Sequence, residues 1–425
     1  MNGSFGEFVA HAARDGALVV QPRMGMSDPA RMRAGLLATR ATDVRAAGTI
    51  TLDSFTRVGE HDSVRTALTK GKQLNGYPIV DHPVAVTRKV LAGVCGPDFP
   101  VQVRHGSPRP QRIIAALVAA RLHATEGGPI SYCLPYSRVP VAESVRAWTE
   151  SARMLAALRE QGQRPHLETF GGCMMAQLCP PALLVAISVL EAVFFRRHGV
   201  DSVSLSYAQQ THPGQDAEAL GALRALAEEF LPNTDWHVVL YTYMGAFPRT
   251  PAGSVALLEE AARLSVRGGA SRLIVKTVAE AHRIPTIAEN VDALLVASRA
   301  ADRERHAPTA HEPVEDTGIA GQARAIVEAV LDLDPDLDAG LTRAVRLGLL
   351  DIPYCLHPDN AGRTRATVDG AGRLQWTRTG ALPLRGLAES TNHEPVTADR
   401  LLRSLSYVER RFDDAALEHT AGAPA

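Results

Sequence analysis

Lysine is scarce in this chain: of its 45 basic residues, four are lysines and 41 are arginines. A single arginine therefore carries little information, whereas Lys276 stands out because it ends an apolar stretch. The formal net charge is −1, so no overall electrostatic field favours nucleic acid or an anionic membrane. Composition therefore directs attention to a small-molecule site.

Cysteines and long apolar runs are also scarce. The five cysteines are odd in number, and their spacing fits neither a disulfide framework nor a zinc site. No cleavable signal sequence is recognisable, so we expect a cytoplasmic protein. The most apolar run, Pro180 to Phe195, contains Glu191 and ends in Arg196-Arg197-His198-Gly199. It is short for a bilayer, which favours a helix packed inside the fold.

Eight short apolar segments are typical of buried β-strands, and most are separated by enough residues for a helix. They are Ala17–Arg23, Gly48–Arg57, Val101–Gly106, Ala119–Glu126, His166–Gly172, Ser202–Tyr207, His237–Met244 and Arg272–Lys276. This alternation predicts an α/β fold, a (β/α)8 TIM barrel whose active site lies where the strands end. The side chains expected at that mouth are Arg23, Arg57, Arg104, Glu126, Tyr207, Met244 and Lys276.

The rest of the chain divides around this barrel. We expect an N-terminal helical lead-in of marginal order over residues 1–16 and the catalytic barrel over 17–298. A charged, proline-bearing linker covers 299–318, and a mostly helical C-terminal extension covers 319–420. Residues 421–425 are expected to form a disordered tail.

Three arginines at separate strand ends are more than one carboxylate needs. Each guanidinium is suited to bidentate recognition of a carboxylate or a phosphate, and Glu126 supplies an acid for an ammonium group. A phosphate site in a barrel usually uses glycine-rich loops after strands seven and eight, whereas the eighth strand here continues into Lys276-Thr-Val-Ala-Glu280. We find no metal-ligand spacing, P-loop or dinucleotide-binding fingerprint. These features predict a barrel enzyme for a small amino dicarboxylate.

A series of motifs adds a resemblance to a known family. The motifs are Gln21-Pro-Arg23-x-Gly25, Asp53-x-Phe55-Thr-Arg57, Leu74-Asn75-Gly-Tyr-Pro, Arg104-His105-Gly-Ser-Pro, Glu126-Gly-Gly-x-Ile-Ser-Tyr132-x-x-Pro135-Tyr136, Met244-Gly-x-Phe247-Pro, Ile274-Val-Lys276-Thr-x-x-Glu280-Ala-x-x-Ile284-Pro-Thr and Leu350-Asp-Ile-Pro. In this order, over nearly the whole chain, they resemble the large E (epsilon) subunit of glutamate mutase, also called methylaspartate mutase.

The resemblance implies an isomerase that works with adenosylcobalamin and converts L-glutamate to (2S,3S)-3-methylaspartate by a radical rearrangement. It implies a separate small cobalamin-binding subunit, whose Asp-x-His-x-x-Gly signature this chain lacks, and a homodimer within a heterotetramer. The positions that match the family's substrate site are Arg23, Arg57, Arg104, His105, Glu126, Tyr132 and Tyr136. The positions that match its cofactor contacts are Gly25, Asn75, Pro135, Phe247, Lys276, Glu280 and Ile284. No metal-binding residue is implied.

The chain departs from the family pattern at Met24, Pro129, Cys133 and Gln209–His212. These departures leave alternatives open: a modified glutamate or another amino dicarboxylate as substrate, a reaction without cobalamin, or a non-catalytic binding partner.

Overall fold

Eight parallel strands form the centre of the computed structural model, which describes residues 4–171, 178–307, 314–388 and 396–421. The strands are β1 Val19–Gln21, β2 Gly48–Thr51, β3 Val101–Arg104, β4 Ala124–Glu126, β5 His166–Glu168, β6 Ser202–Ala208, β7 Asp235–Tyr241 and β8 Arg272–Ile274. Each pairs with the next in the chain from β2 to β8, and β8 pairs with β1. The Val20–Ala46 bridge closes the ring between β1 and β2. The predicted (β/α)8 barrel is confirmed.

Fifteen helices within the described residues surround and extend the barrel. They are α1 Phe5–Arg14, α2 Pro29–Arg40, α3 Ser54–Val58, α4 His61–Thr69, α5 Val84–Leu91, α6 Gln111–Ala119, α7 Val141–Ala156, α8 Pro181–Arg197, α9 Pro213–Phe230, α10 Pro251–Arg267, α11 Ile287–Arg305, α12 Ile319–Leu331, α13 Leu337–Leu347, α14 Ala398–Leu405 and α15 Tyr407–Ala421. Several begin with a side-chain cap followed by proline, which supplies an acceptor for a free N–H and a preset φ angle. Thr250 before Pro251 and Asp28 before Pro29 are examples.

Helix α1 is an ordered part of the barrel rather than the marginal lead-in expected from the sequence. Ser4 and Glu7 form a reciprocal capping box at its start. Phe5 is buried, and its ring lies against His166 of β5 at 5.1 Å between centroids. The guanidinium of Arg272, the first residue of β8, lies 4.9 Å from the centroid of the same Phe5 ring. These contacts place α1 under the amino-terminal ends of the strands.

The lower interior of the barrel is polar, although branched apolar residues are usual there. The Gln21 amide donates to Thr49 Oγ1 and to Gln102 Oε1, both at 2.8 Å. Arg272 donates to Gln21 and forms a fully buried ion pair with Glu168. Buried polar groups are tolerated only when they are paired. These side chains, which come from different strands, therefore stabilise one another inside the barrel.

The C-terminal extension packs on the outside of the barrel. Helix α12 contacts α8 and α9, and α15 contacts α10. A hairpin of β9 Arg365–Val368 and β10 Leu374–Arg378 lies between them in sequence. Helix α11 continues to Arg305, past the predicted start of the linker at 299, because its alanine face at 297, 300 and 301 is buried. Residues 422–425 of the predicted tail lie outside the described residues.

Helix α8 is the predicted apolar helix, and it lies within the fold. Every residue from Pro181 to Phe195 is buried, including Glu191. Among the described residues, no helix combines the length and the hydrophobicity that crossing a membrane requires.

Candidate active site

The seven residues matched to a substrate site line one cavity at the carboxyl-terminal mouth of the barrel. The space between its lining atoms is about 380 Å³, part of which is open to solvent, and its walls are Arg23, Thr51, Arg57, Arg104, His105, Gly106, Glu126, Tyr132, Tyr136, Phe170 and Met244. Arg104 and Glu126 end β3 and β4, and both tyrosines belong to the loop after β4. Their convergence follows from the barrel, whereas their roles toward a substrate stay a prediction.

Arg57 reaches the cavity from a short helix and not from a strand end. Strand β2 stops at Thr51, and Asp53 then caps α3 by accepting from the Thr56 N–H at 3.0 Å. Among the described residues Arg57 has no ion-pair partner, and its buried Nε has no hydrogen-bond partner. An unpaired guanidinium in the wall of a cavity is a strong attractor for an anion.

Arg104 and Glu126 form an ion pair at the cavity floor. Nη2 of Arg104 lies 3.0 Å from Oε2 of Glu126, and both side chains are almost fully buried. The Tyr132 hydroxyl donates to Oε1 of Glu126 at 2.5 Å. Burial alone would lower the pKa of Arg104, but Glu126 acts together with Tyr241, Tyr132 and Glu168 to raise that pKa above its ordinary value. The other nitrogen, Nη1, has no partner among the described residues and remains a donor for a bound group.

A second acid, Glu168 of β5, lies next to this pair and was not predicted from the sequence. The Tyr241 hydroxyl lies between the two carboxylates, 3.0 Å from Oε2 of Glu126 and in contact with Oε1 of Glu168. Burial raises the pKa of Glu126. The Arg104 charge acts to lower this pKa, and the Glu168 charge acts to raise it. Burial also acts to raise the pKa of Glu168, but Arg272 and Arg104 outweigh it and lower that pKa. The environment therefore shifts the pKa values of the two acids in opposite directions.

Polar residues at every second strand position were the signal that could have identified Glu168. Gln102 and Arg104 alternate on β3, and His166 and Glu168 alternate on β5. Residues two apart on a strand share a face. Polar pairs at this spacing in otherwise apolar strands therefore indicate a polar barrel interior.

His105 is a neutral hydrogen-bond donor at the cavity wall. Its Nδ1 accepts from the Ser107 N–H at 3.1 Å, which leaves the ring proton on Nε2. Burial, together with a smaller effect of the Arg57 charge, lowers the pKa of His105 to about 3. The ring stacks on Trp148 with 5.7 Å between centroids. Nε2 has no partner among the described residues, so it can donate to a ligand without carrying charge.

The loop after β8 places Lys276 and Glu280 beside Arg23. Nη1 of Arg23 lies 2.7 Å from Oε2 of Glu280, and Nζ of Lys276 lies 4.1 Å from the Phe247 ring centroid. A 3-10 turn starts at Val278, so Lys276 and Glu280 do not share an α-helical face, and no ion pair joins them among the described residues. Burial lowers the pKa of Lys276 to about 8, although Glu280 opposes the change.

The remaining predicted cofactor contacts lie around the rim of the mouth. Ile284 is 59% exposed, Asn75 is exposed, and Pro135 is partly exposed. The Asn75 side chain accepts from the Ser54 N–H at 2.9 Å. A Cβ on Gly25 would lie 2.2 Å from the Thr51 carbonyl oxygen, so packing against β2 already requires glycine there.

Two further residues expected at the mouth have different outcomes. Met244 lines the cavity, as predicted. Tyr207 does not, because its hydroxyl donates at 2.8 Å to Asp216 of α9, outside the barrel. Ser202 and Ser204 of β6 contact the interior residues His166 and Glu168, so Tyr207 falls on the opposite face of the strand. The prediction for Tyr207 was wrong by one step of strand alternation.

A parallel barrel whose mouth cavity is lined by three arginines, a neutral histidine and a buried glutamate is typical of a barrel enzyme. Comparison with known proteins then specifies the family. The profile of the methylaspartate mutase E chain (MutE) matches residues 1–407. The chain belongs to this family, and it is an isomerase of the mutase type.

Curated relatives agree with this assignment. Proteins named glutamate mutase epsilon subunit are similar to this chain in Halobacterium salinarum, at 31% identity over 79% of this chain and 71% of the relative. The Escherichia coli O157:H7 protein is 30% identical over 79% and 72%. The Yersinia enterocolitica protein is 29% identical over 90% and 81%. The resemblance predicted from the motifs is confirmed.

Proposed function

We propose that this chain is the substrate-binding subunit of an adenosylcobalamin-dependent glutamate mutase that converts L-glutamate to (2S,3S)-3-methylaspartate. Its partner is a separate small cobalamin-binding subunit of the Asp-x-His-x-x-Gly type. The family assignment supports the reaction class, and the contents of the cavity support the substrate.

One observation carries the proposal: four buried polar atoms without a partner among the described residues belong to the walls of a single cavity. They are Thr51 Oγ1, Arg57 Nε, Arg104 Nη1 and His105 Nε2. Three of the four are nitrogen donors and the fourth is a hydroxyl that can donate. Leaving buried donors unpaired is costly, so a ligand rich in acceptor oxygens would compensate them all. A dicarboxylate is such a ligand.

The amino group of glutamate needs an acceptor, and the paired acids provide one. Glu126 is held by Arg104, Tyr132 and Tyr241, with Glu168 behind Tyr241. An ammonium group beside Glu126 would add a positive charge where two carboxylates repel each other. That added charge would lower the raised pKa of Glu126. The acids therefore favour an amino dicarboxylate over a plain dicarboxylate.

The rim fits a large cofactor placed over the mouth. Val58, Tyr136 and Ile284 are 55%, 48% and 59% exposed, although such apolar side chains are usually buried. Lys276 and Glu280 belong to the loop after β8, and Glu280 binds Arg23 of the cavity wall. These residues would contact adenosylcobalamin, which when bound supplies the radical that removes a hydrogen atom from the substrate.

The residues of this chain bind, orient and enclose the substrate during that chemistry. The arginines hold the carboxylates and Glu126 holds the ammonium, so both ends of a substrate that fragments stay in register. The aromatic wall of Tyr132, Phe170 and Tyr136 covers the cavity; the Tyr132 and Phe170 rings lie 4.9 Å apart. With a cofactor placed over the mouth, this wall would help to exclude water and other hydrogen donors from reactive intermediates.

The test combines this chain with its small subunit, adenosylcobalamin and L-glutamate. We expect methylaspartate and a cob(II)alamin signal by electron paramagnetic resonance. Turnover without cobalamin would favour a non-radical enzyme, and glutamate binding without turnover would favour a binding partner. Turnover of a modified glutamate alone would change the substrate assignment.

A further inference from the structure

A buried carboxylate behind the tyrosine loop is the feature that the site description leaves unused. Glu191 lies on α8, where its neighbours from Pro181 to Phe195 are all buried and almost all apolar. Burial of an acid in such a helix is costly unless each oxygen finds donors. Most of its donors come from one segment, Gly127–Tyr136, which carries both site tyrosines.

Glu191 binds the Gly127–Tyr136 segment through hydrogen bonds to Ile130 and Ser131. Oε1 of Glu191 accepts from the N–H groups of Ile130 and Ser131 at 2.9 and 2.8 Å. Oε2 accepts from the Ser131 hydroxyl at 2.8 Å. A Cβ on Gly128 would lie 2.1 Å from the Glu191 carboxyl carbon. The loop backbone therefore lies directly on the carboxylate, and any side chain at 128 would separate them.

The next residue of the loop enters the active site. Tyr132 directly follows Ser131, donates to Glu126 at 2.5 Å and lies 5.3 Å from the His105 ring. The N–H of Phe170, which faces the same cavity, also donates to Glu191. One carboxylate thus binds two separate wall segments of the cavity.

We propose that Glu191 is a positioning residue that holds the Gly127–Tyr136 loop and Phe170 in the geometry that binds substrate. It touches no part of the substrate cavity itself and acts through the backbone of Ile130 and Ser131. The proposal rests on the proposed function only for the identity of the substrate. The loop geometry can be tested without any substrate.

The test compares Glu191→Met, Glu191→Gln and a matched control at pH 8. Burial raises the pKa of Glu191 to about 7, so the wild-type carboxylate is mostly ionised at that pH. Methionine keeps the shape but has no carboxylate, whereas glutamine keeps one carbonyl oxygen for the two N–H groups. Glu218→Met is the control, because Glu218 of α9 binds Thr317 and Ile319 of the C-terminal extension in the same way.

The first readout is amide hydrogen exchange of the full chain without substrate. We expect Ile130 and Ser131 to exchange about tenfold faster in Glu191→Met, with a smaller rise in Glu191→Gln. In Glu218→Met the increase should fall at 317–319 and not at 130–131. Wild-type exchange at 130–131 in Glu191→Met would overturn the proposal.

The second readout is the kinetics of the chain assembled with its small subunit and adenosylcobalamin. We expect the KM for glutamate to rise about tenfold in Glu191→Met and to recover most of the way in Glu191→Gln, while Glu218→Met keeps the wild-type KM. Faster loop exchange with an unchanged KM would overturn the positioning role. If Glu191→Met does not fold, Ser131→Ala must raise the KM in the same direction, and an unchanged value there would also overturn it. A wild-type assembly that does not turn over glutamate refutes the proposed function, while the exchange experiment still reports on the loop.

Discussion

Replacing Arg104 by lysine tests the core of the site assignment, because it keeps the charge and removes the planar pair of donors. In the wild-type chain Nη2 binds Glu126 at 3.0 Å and Nη1 is free among the described residues to bind a ligand. A lysine ammonium presents all its donors from one nitrogen, so it cannot reproduce the two separate nitrogens that face Glu126 and the ligand.

The expected loss is one charge-assisted hydrogen bond to the substrate, about 1.5–3 kcal/mol. That corresponds to a fall in kcat/KM of about 10- to 150-fold. The assay is glutamate turnover by the chain assembled with its small subunit and adenosylcobalamin. Arg109→Lys is the matched control: its partner Glu143 lies 3.1 Å away, but the Arg109 side chain is 52% exposed and the pair contributes little.

Thermal unfolding of each variant separates loss of binding from loss of structure. We expect Arg109→Lys to keep both wild-type kinetics and the wild-type midpoint. If Arg104→Lys turns over glutamate like the wild type, Arg104 does not bind the substrate and the proposed carboxylate site is refuted.

Three further variants test separate parts of the structure. Thr51→Val removes a buried hydroxyl with no partner among the described residues. We expect calorimetry to show that glutamate binds about two- to tenfold more weakly. An affinity equal to that of the wild type would mean that Thr51 does not contact the substrate. Phe5→Ala should lower the free energy of unfolding by about 3–5 kcal/mol in urea, because Phe5 is buried under the barrel; a loss below about 1 kcal/mol would mean that α1 is dispensable. Burial lowers the pKa of Lys276 in the folded state to about 8. Between pH 8 and the ordinary lysine pKa, the unfolded chain therefore binds more protons than the folded chain. The free energy of unfolding consequently rises with pH in that range. Lys276→Met should lose that rise in urea titrations at pH 8 and 10, and an unchanged slope would contradict the lowered pKa.

Most of the site could be predicted because its residues lie at strand ends or in motifs beside them. Arg104 and Glu126 end β3 and β4, and a barrel brings such positions together whatever their separation in sequence. Tyr207 shows the limit of this reasoning. Near a strand end, a shift of one residue moves a side chain from the mouth to the outer face.

Pairings across the barrel could not be predicted in the same way. Arg272 and Glu168 are 104 positions apart, and their contact depends on the inward faces of β5 and β8. Glu191 lies in an apolar run that indicates a buried helix but does not show which loop its carboxylate binds. The sequence suggested Glu126 only as a partner for an ammonium group. Its ion pair with Arg104 is shown only by the distance between the two side chains in the cavity.

The sequence by itself determined the barrel, the family and most of the residues at the mouth, because these depend on local hydrophobic pattern and on motifs read along the chain. The tertiary structure alone decided which charges are paired and which are free. Burial and the distances between residues far apart in sequence, as in the Arg104–Glu126 and Tyr241–Glu126 contacts, set the main charge pairings and pKa shifts in the cavity, and neither quantity is a local property of the chain.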